Sequence, residues 1–157
     1  MGLNIKDLRI ESDGFADGGA MPDKYSKYHD NVVPPLRWSG VPEGTRQLAL
    51  ICHDPDAPLP HGWTHWVVYG IAPDVTQITE DGPVPGVEGT TDYGEVGWGG
   101  PMPPPGHGTH HYFFWLYALD TEIDAEPGLT RAQLLERIQD HVIEQARIVG
   151  TLSLIHI

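Results

Sequence analysis

Acidic, histidine and aromatic residues recur in pairs spaced by two along this 157-residue chain. Three such pairs stand out: Asp54 with Asp56, Trp63 with His65, and His110 with Tyr112. Side chains two residues apart in an extended segment point the same way, so both members of a pair can face one site. Imidazole and phenol groups form hydrogen bonds, and a carboxylate can fix the tautomer of a histidine. The pairs therefore predict a pocket for a small anion such as a phosphate or a carboxylate.

The same residue types leave two other chemistries open. His61 with His65 and His107 with His110, together with the two aspartates, could supply ligands to a metal ion, although the spacing matches no closed zinc pattern. An aspartate base and a histidine acid could instead hydrolyse a phosphoester or an amide. The chain contains no nucleotide-binding loop and no serine-hydrolase motif. We expect no metal and no cofactor.

Apolar runs that border these pairs predict the strands that would position them. Gln47–Cys52 is a compact apolar run that ends at the proline-broken segment 54–58. Trp63–Ile71 predicts a second strand, and the aromatic run His110–Leu119 is typical of a central strand covered on both faces. Strict alternation predicts that one face of the second strand carries Trp63, His65, Val67 and Tyr69.

The composition indicates many loops around these strands. Nineteen glycines and 15 prolines argue against a helical bundle. Residues 72–105 are rich in Gly, Pro, Asp and Thr and are too long for a hairpin turn, so we expect a folded functional loop whose Gly99 and Gly100 amides face the site. Cys52, the single cysteine, lies in an apolar run and is expected to be a small buried group.

One helix is predicted near the C-terminus. Thr130 and Gln133 form a capping box, the pattern that begins many helices. Apolar residues then recur at helical spacing from Leu134 to Val149, and Gly150 is placed to end the run. We expect this helix to lie on the sheet.

The charge balance excludes several classes of partner. Nine basic and 22 acidic residues give a formal net charge of −13, which makes nucleic acid and an anionic bilayer poor partners. No apolar stretch is long enough to span a bilayer, so we expect no stable membrane insertion. A single cysteine favours a reducing compartment, and we predict a cytoplasmic protein.

Four ordered segments carry the residues described above: 54–58 (DPDAP), 63–66 (WTHW), 97–101 (GWGGP) and 105–114 (PGHGTHHYFF). Together they resemble the phosphatidylethanolamine-binding protein family, in particular its bacterial and archaeal Raf-kinase-inhibitor-like branch. Shorter segments at 15–19, 31–38 and 40–45 support the likeness, which runs from about Ile10 to Gly150.

The resemblance implies a mainly β fold in a single domain over residues 1–157. A central antiparallel sheet would pack on a smaller sheet, with a C-terminal helix. The positions that match the family's anion pocket are Asp54, Asp56, Trp63, His65, Gly100, Pro101, His110 and Tyr112. In the family, this pocket binds phosphate, phosphoryl headgroups, acetate or cacodylate-like anions. The resemblance also implies a noncatalytic regulator, an inhibitor of a protein kinase or a protease, and a homodimer.

We expect a definite role for each group at the pocket. His65 and His110 would donate to the anion, Tyr112 would add a hydroxyl, and the two aspartates would orient the imidazoles. Gly100 would supply a backbone amide, while Trp63 and Pro101 would form apolar walls. Protonation near the ordinary histidine pKa of about 6.5 would then tighten binding toward mild acidity. A kinase or protease would contact the proline-rich rim between residues 84 and 105.

The chain departs from the family pattern at three places. His53 stands where the family often has an acidic residue. His111 stands where the family often has arginine, which is expected to weaken any bridge or anion contact made there. Residues 151–157 replace the family's usual aromatic and basic end. Their apolar composition leaves open whether they form a final strand or an atypical tail.

Overall fold

The computed structural model of the chain describes residues 7–124 and 126–153. Their elements are strands β1 (Arg9–Glu11), β2 (Gly19–Ala20), β3 (Leu36–Ser39), β4 (Gln47–Asp54), β5 (Trp63–Ile71), β6 (Gln77–Ile78), β7 (Val87–Glu88), β8 (His110–Leu119) and β9 (Val142–Leu152), and helix α1 (Arg131–Ile138). A six-stranded sheet has the order β2-β9-β8-β4-β5-β7, and a three-stranded sheet has the order β1-β3-β6. The predicted mainly β fold with two sheets is confirmed.

Strands β4, β5 and β8 form the centre of the large sheet. Strand β4 pairs antiparallel with both of the others and is buried at every residue after Gln47. Because both faces of β4 are buried, its sequence is continuously apolar rather than alternating. Strands β5 and β8 have the predicted bounds, and β4 extends two residues further, to Asp54. The second face of β8 is only partly covered, because Phe113, Trp115 and Tyr117 are half-buried.

Two hydrophobic clusters cover the two faces of the large sheet. The larger cluster joins residues of both sheets, such as Trp38 of the small sheet and Leu50 and Phe114 of the large one. The smaller cluster includes Leu134 and Ile138, which α1 buries against the opposite face. The predicted capping box is present at Thr130. Within the described ranges, no helix has the length and apolar character needed to cross a membrane.

The predicted helix ends much earlier than Gly150. Helix α1 stops at Ile138, and Val142–Leu152 forms β9, which pairs with the whole of β8. The apolar residues of this segment fit a helical spacing, but they also fit alternation, and Ile148, Gly150 and Leu152 are buried at every second position. Pairing with β8 and the β-branched residues of the segment favour the strand. Residues 151 and 152 complete β9, and residues 1–6 and 154–157 lie outside the described residues.

Candidate functional site

A cavity of about 400 Å³ opens where the ends of β4, β5 and β8 meet two loops. It is lined by Asp54, Trp63, His65, His110 and Tyr112 from the strands and by Ala57, Pro58, Leu59, Tyr93, Met102, Pro103 and Pro104 from the loops. Five of the eight residues predicted from the sequence therefore meet at one cavity. Antiparallel pairing explains this, because the end of β4 lies beside the starts of β5 and β8.

A buried aspartate–histidine pair forms the polar floor of the cavity. Asp54 Oδ2 lies 2.5 Å from His110 Nδ1, and each side chain is only 3% exposed. A carboxylate accepts hydrogen bonds and does not donate them, so His110 Nδ1 carries the proton. Burial raises the pKa of Asp54, and the hydrogen bond from His110 partly opposes this. Asp54 thereby fixes the orientation and the tautomer of His110.

A third side chain extends this pair to the surface. Nε2 of His110 lies 2.6 Å from Nδ1 of His107, an exposed loop residue. Asp54, His110 and His107 thus form one chain of hydrogen bonds. Residues 7–124 and 126–153 contain no group of three or more His, Cys, Asp or Glu side chains that could hold a metal ion. The metal alternative therefore has no converging set of ligands in this part of the chain.

A β-bulge places His65 at the cavity. The register between β4 and β5 shifts by one residue at His65, which has no pairing partner on β4. The His65 ring contacts Tyr112, with ring centroids 5.2 Å apart, on the side of the larger core cluster. Val67 and Tyr69 belong to the cluster on the opposite face. The prediction from strict alternation, which placed these residues on the face of His65, was wrong because it assumed a regular strand.

The buried His65 imidazole is neutral at physiological pH. Its Nδ1–H donates to the carbonyl oxygen of Gly99 at 2.6 Å, and the residue is 3% exposed. Burial lowers the pKa of His65 to about 4, despite the opposing effect of this hydrogen bond. The predicted gain of positive charge near pH 6.5 therefore does not extend to His65.

Two tyrosines and one tryptophan complete the cavity wall. Burial and the nearby Asp54 carboxylate raise the pKa of Tyr112 above its usual value, so its hydroxyl stays protonated. The Tyr93 ring lies edge-on to Trp63, with ring centroids 5.3 Å apart, and Lys27 Nζ lies 3.8 Å from the Tyr93 centroid. The pairs in the sequence did not identify Tyr93. The sequence feature that could have identified Tyr93 is that it is the single aromatic residue between residues 72 and 97.

Gly100 and Pro101 are not among the described residues that line the cavity. The Gly100 N–H donates to Asn31 Oδ1 at 2.7 Å, so this amide is already used within the protein. The carbonyl oxygen of Pro101 accepts from the Ser26 hydroxyl at 2.8 Å. Both residues hold the loop against segment 25–31, and the structure corrects their predicted places as a ligand-facing amide and an apolar wall.

Asp56 also lies outside the cavity lining and orients a different histidine. Its Oδ2 accepts from both the backbone N–H and the ring Nδ1 of His111, each at 2.8 Å. Of the two predicted aspartates, Asp54 is therefore the one that orients an imidazole of the cavity. His111 thus makes a contact with Asp56 at the position where the family often has arginine, and the expectation that this contact is weaker than one from arginine stays a prediction.

The mouth of the cavity is apolar. Leu59 is 50% exposed and Met102 is 39% exposed, and Pro58, Pro103 and Pro104 lie beside them. An apolar rim over a polar floor is typical of small-molecule sites, where a few polar groups set the orientation of the ligand.

Comparison with known sequences identifies related proteins. A family described as phosphatidylethanolamine-binding protein matches residues 11–153. A UPF0098 protein of Methanothermobacter thermautotrophicus is 44% identical over 149 residues, which cover 91% of this chain and 97% of that protein. A Mycobacterium tuberculosis protein named as a lipoprotein, LppC, is 44% identical over 146 residues, which cover 92% of this chain and 71% of that protein.

The fold is also similar to a solved structure. The phosphatidylethanolamine-binding protein homologue CT736 of Chlamydia trachomatis superposes with a TM-score of 0.89 at 36% sequence identity. The match covers 95% of this chain and 99% of CT736. The likeness therefore extends over nearly the whole of both chains.

Proposed function

The chain belongs to the phosphatidylethanolamine-binding protein family, within a branch of archaeal and bacterial members, and from this premise we propose that it binds a small anion in the cavity described above. The ligand class is phosphate or a phosphoryl group. The protein acts as a noncatalytic regulator. The observation that carries the proposal is the buried Asp54–His110 pair on the floor of a cavity that His65 and Tyr112 also line.

The acidic surface does not oppose such binding. The formal net charge is −13, but charges more than about 8 to 10 Å from the ligand are largely screened at physiological salt. Hydrogen bonds inside a partly enclosed cavity are screened much less than those in water. The groups on the cavity floor therefore decide whether an anion is held.

Isothermal titration with inorganic phosphate tests the proposal. We expect His110→Ala and His65→Ala each to weaken phosphate binding by about tenfold or more, because each removes a polar group from a largely desolvated cavity. His141→Ala is the matched control, since His141 is an exposed histidine paired with Asp120 at 2.9 Å. Unfolding curves show that each variant is folded. Unchanged affinity in both cavity variants would reject the site.

Hydrolysis of a phosphoester or an amide is the second candidate, and one observation favours it. The hydrogen-bonded chain from Asp54 through His110 to His107 could move a proton between the floor and the mouth of the cavity. No Ser, Thr or Cys is among the described residues that line the cavity, and burial raises the pKa of the Cys52 thiol. A screen with aryl phosphates separates the candidates, since the binding proposal expects no turnover.

The rim of the cavity supports a proposal about a protein partner. Leu59 and Met102 expose apolar surface beside prolines, and such a patch suits docking of a kinase or protease. A Leu59→Ser and Met102→Ser variant should lose inhibition of that enzyme while retaining phosphate binding. Inhibition that depends on His65 and His110 instead would place the contact inside the cavity.

The cytoplasmic location and the homodimer are also proposals. The single cysteine supports a reducing compartment, whereas the name of the mycobacterial relative LppC assigns that protein to the lipoproteins. Cell fractionation tests the location, and analytical ultracentrifugation tests the assembly state.

A further inference from the structure

The lining of the cavity, as far as the structure describes it, offers an anion no lysine and no arginine. It does include the buried carboxyl group of Asp54. Burial lowers the pKa of His65 to about 4, so this imidazole adds no positive charge at neutral pH. Like charges repel each other more strongly inside a protein than in water. A cation just behind the lining residues would therefore strengthen the binding of an anion.

Lys27 places an ammonium group behind one wall of the cavity. Its Nζ atom lies 3.8 Å from the centroid of the Tyr93 ring, and Tyr93 lines the cavity. The backbone N–H of Lys27 donates to the carbonyl oxygen of Pro101 at 3.0 Å, so the side chain starts from a fixed point. A ligand atom in van der Waals contact with the ring would lie within about 10 Å of Nζ. Charges interact over this distance when the salt concentration is about 0.1 M or lower.

The Tyr93 ring is fixed beside this ammonium group. Its hydroxyl donates to the carbonyl oxygen of Gly100 at 2.9 Å. The ring lies edge-on to Trp63 and His65, with centroids 5.3 Å and 5.7 Å apart. Burial raises the pKa of Tyr93, so its hydroxyl stays protonated and the ring adds no charge of its own. A fixed, buried ring screens the ammonium charge less than water would.

Glu95 is the ion-pair partner of Lys27 and opposes its charge. Lys27 Nζ donates to Glu95 Oε1 at 2.5 Å, and the two side chains are 28% and 67% exposed. The ammonium group lies against the ring, whereas the carboxylate is largely in solvent, where water and salt screen its charge. The pair therefore presents a positive field to the Tyr93 ring, and Glu95 cancels part of that field.

On the basis of the proposed function, we propose that Lys27 is a specificity-determining residue of the cavity, which attracts an anion across the Tyr93 ring without touching it, and that Glu95 limits this attraction. The energy of a charge in a fixed field is proportional to that charge. Lys27 therefore contributes about twice as much binding free energy for a dianion, such as a phosphate monoester, as for a monoanion, such as a phosphate diester.

Calorimetric titration of the full chain with methyl phosphate at pH 7.5 and low salt tests the proposal. The second pKa of a phosphate monoester is about 6, so this probe is mainly a dianion at that pH. Lys27→Met removes the charge and keeps an apolar contact with the ring, and we expect binding to weaken by about threefold to tenfold. Lys27→Arg keeps the charge and should stay within about twofold of the wild type. Glu95→Gln removes the opposing charge and should strengthen binding by about twofold to threefold.

Two further readouts separate an electrostatic role of Lys27 from a structural one. The effects of Lys27→Met and Glu95→Gln should shrink to less than about twofold in about 1 M sodium chloride, where the screening length is about 3 Å. Dimethyl phosphate is a monoanion, so a loss of about ninefold with methyl phosphate should become about threefold with this probe. A structural role would change the affinity for both probes equally, at low and at high salt.

Lys24→Met is the matched control. Lys24 also pairs with a glutamate, Glu80, at 2.9 Å, and its Nζ atom also lies over a tyrosine ring, 5.3 Å from the centroid of Tyr25. Tyr25 is not among the described residues that line the cavity. The affinity of this variant for methyl phosphate should therefore stay within about twofold of the wild type. Unfolding curves show that each variant is folded.

The remaining outcomes distinguish this proposal from the proposed function. Unchanged affinity in Lys27→Met would overturn the role of Lys27 and leave anion binding intact. A loss that Lys27→Arg does not restore, or that persists at high salt, would show that Lys27 only supports the Tyr93 wall, and would overturn the proposal as well. Absence of binding of both inorganic phosphate and methyl phosphate, in the wild type and in Glu95→Gln, would overturn the proposed function together with this inference.

Discussion

Two aspartate–histidine pairs connect the same two segments of this chain, one inside the cavity and one on the surface. Asp54 and His110 are 2.5 Å apart and 3% exposed. Asp56 and His111 are 2.8 Å apart, with the aspartate side chain 40% and the histidine side chain 49% exposed. The pairs have similar geometry, but the alternation of β8 turns His110 inward and His111 outward. Burial, and not pairing, distinguishes the candidate site from its neighbour.

The pKa shifts of the two aspartates show what burial changes. Burial raises the pKa of Asp54, and the hydrogen bond from His110 does not fully offset it. At Asp56 burial is the largest single effect and raises the pKa, but the two hydrogen bonds from His111 and the nearby histidines together outweigh it, and the net pKa is lowered. In the inner pair, Asp54–His110, burial therefore makes the ionised carboxylate less favourable. The outer pair, Asp56–His111, is an ordinary contact in solvent.

Removing the aspartate of each pair should give the largest difference in stability between the two pairs. Asp54→Ala leaves the buried Nδ1–H of His110 without its acceptor, and we expect the free energy of unfolding to fall by about 1–3 kcal/mol. Asp56→Ala removes a contact in solvent and should cost less than about 1 kcal/mol. Urea unfolding at pH 7.5 measures both values.

Double-mutant cycles with His110→Ala and His111→Ala isolate the two pairwise interactions. If Asp54→Ala does not fold, Asp54→Asn provides a nearly isosteric variant that keeps one acceptor oxygen. Equal coupling energies in the two cycles would show that burial does not distinguish the pairs.

The pH dependence of stability extends the comparison to the other cavity imidazole. The pKa of His65 is lowered to about 4 in the folded protein and is about 6.5 in an unfolded chain. The unfolded state therefore takes up this proton first, so the stability is complete above pH 6.5 and falls as the pH drops toward 4. His65→Asn keeps a donor for the Gly99 carbonyl and does not titrate. Between pH 7.5 and pH 5, we expect the wild type to lose about 2 kcal/mol more than this variant.

Thermal and urea unfolding at both pH values measure this difference. His53 is a second contributor, since burial lowers its pKa to about 4 as well. His53→Asn should therefore also reduce the loss on acidification, and the effects of the two substitutions should be partly additive. A pH dependence of His65→Asn that matches the wild type would contradict the neutral state assigned to His65.

The sequence predicted the parts of the site that depend on regular strands. Apolar runs have a clear physical cause, the burial of both faces of a central strand, and they located β4, β5 and β8 and the residues at their ends. Because antiparallel neighbours bring those ends together, Asp54, Trp63, His65, His110 and Tyr112 were found from spacing alone. Helix α1 was found in the same way, from its capping box.

The parts that the sequence did not predict depend on irregular geometry or on pairing. The bulge at His65 turns this side chain to the sheet face opposite Val67 and Tyr69, and the alternation of apolar and polar residues in the sequence does not reveal the bulge. Residues 142–152 fit helical and extended spacing equally, and only pairing with β8 decides between them. Gly100 matches the family motif, but its amide contacts Asn31, a residue distant in sequence. Tyr93 lies in a loop where neither periodicity applies.

The smallest expected effect concerns the outer pair, at the position where the family often has arginine. His111→Arg replaces one exposed partner of Asp56 with another, so the free energy of unfolding should change by less than about 1 kcal/mol. Neither Asp56 nor His111 is among the described residues that line the cavity, and phosphate affinity should stay within about twofold of the wild type. Urea unfolding and calorimetry measure the two quantities. A tenfold gain in affinity would instead mean that an arginine here reaches the ligand, and that the outer pair is part of the binding site.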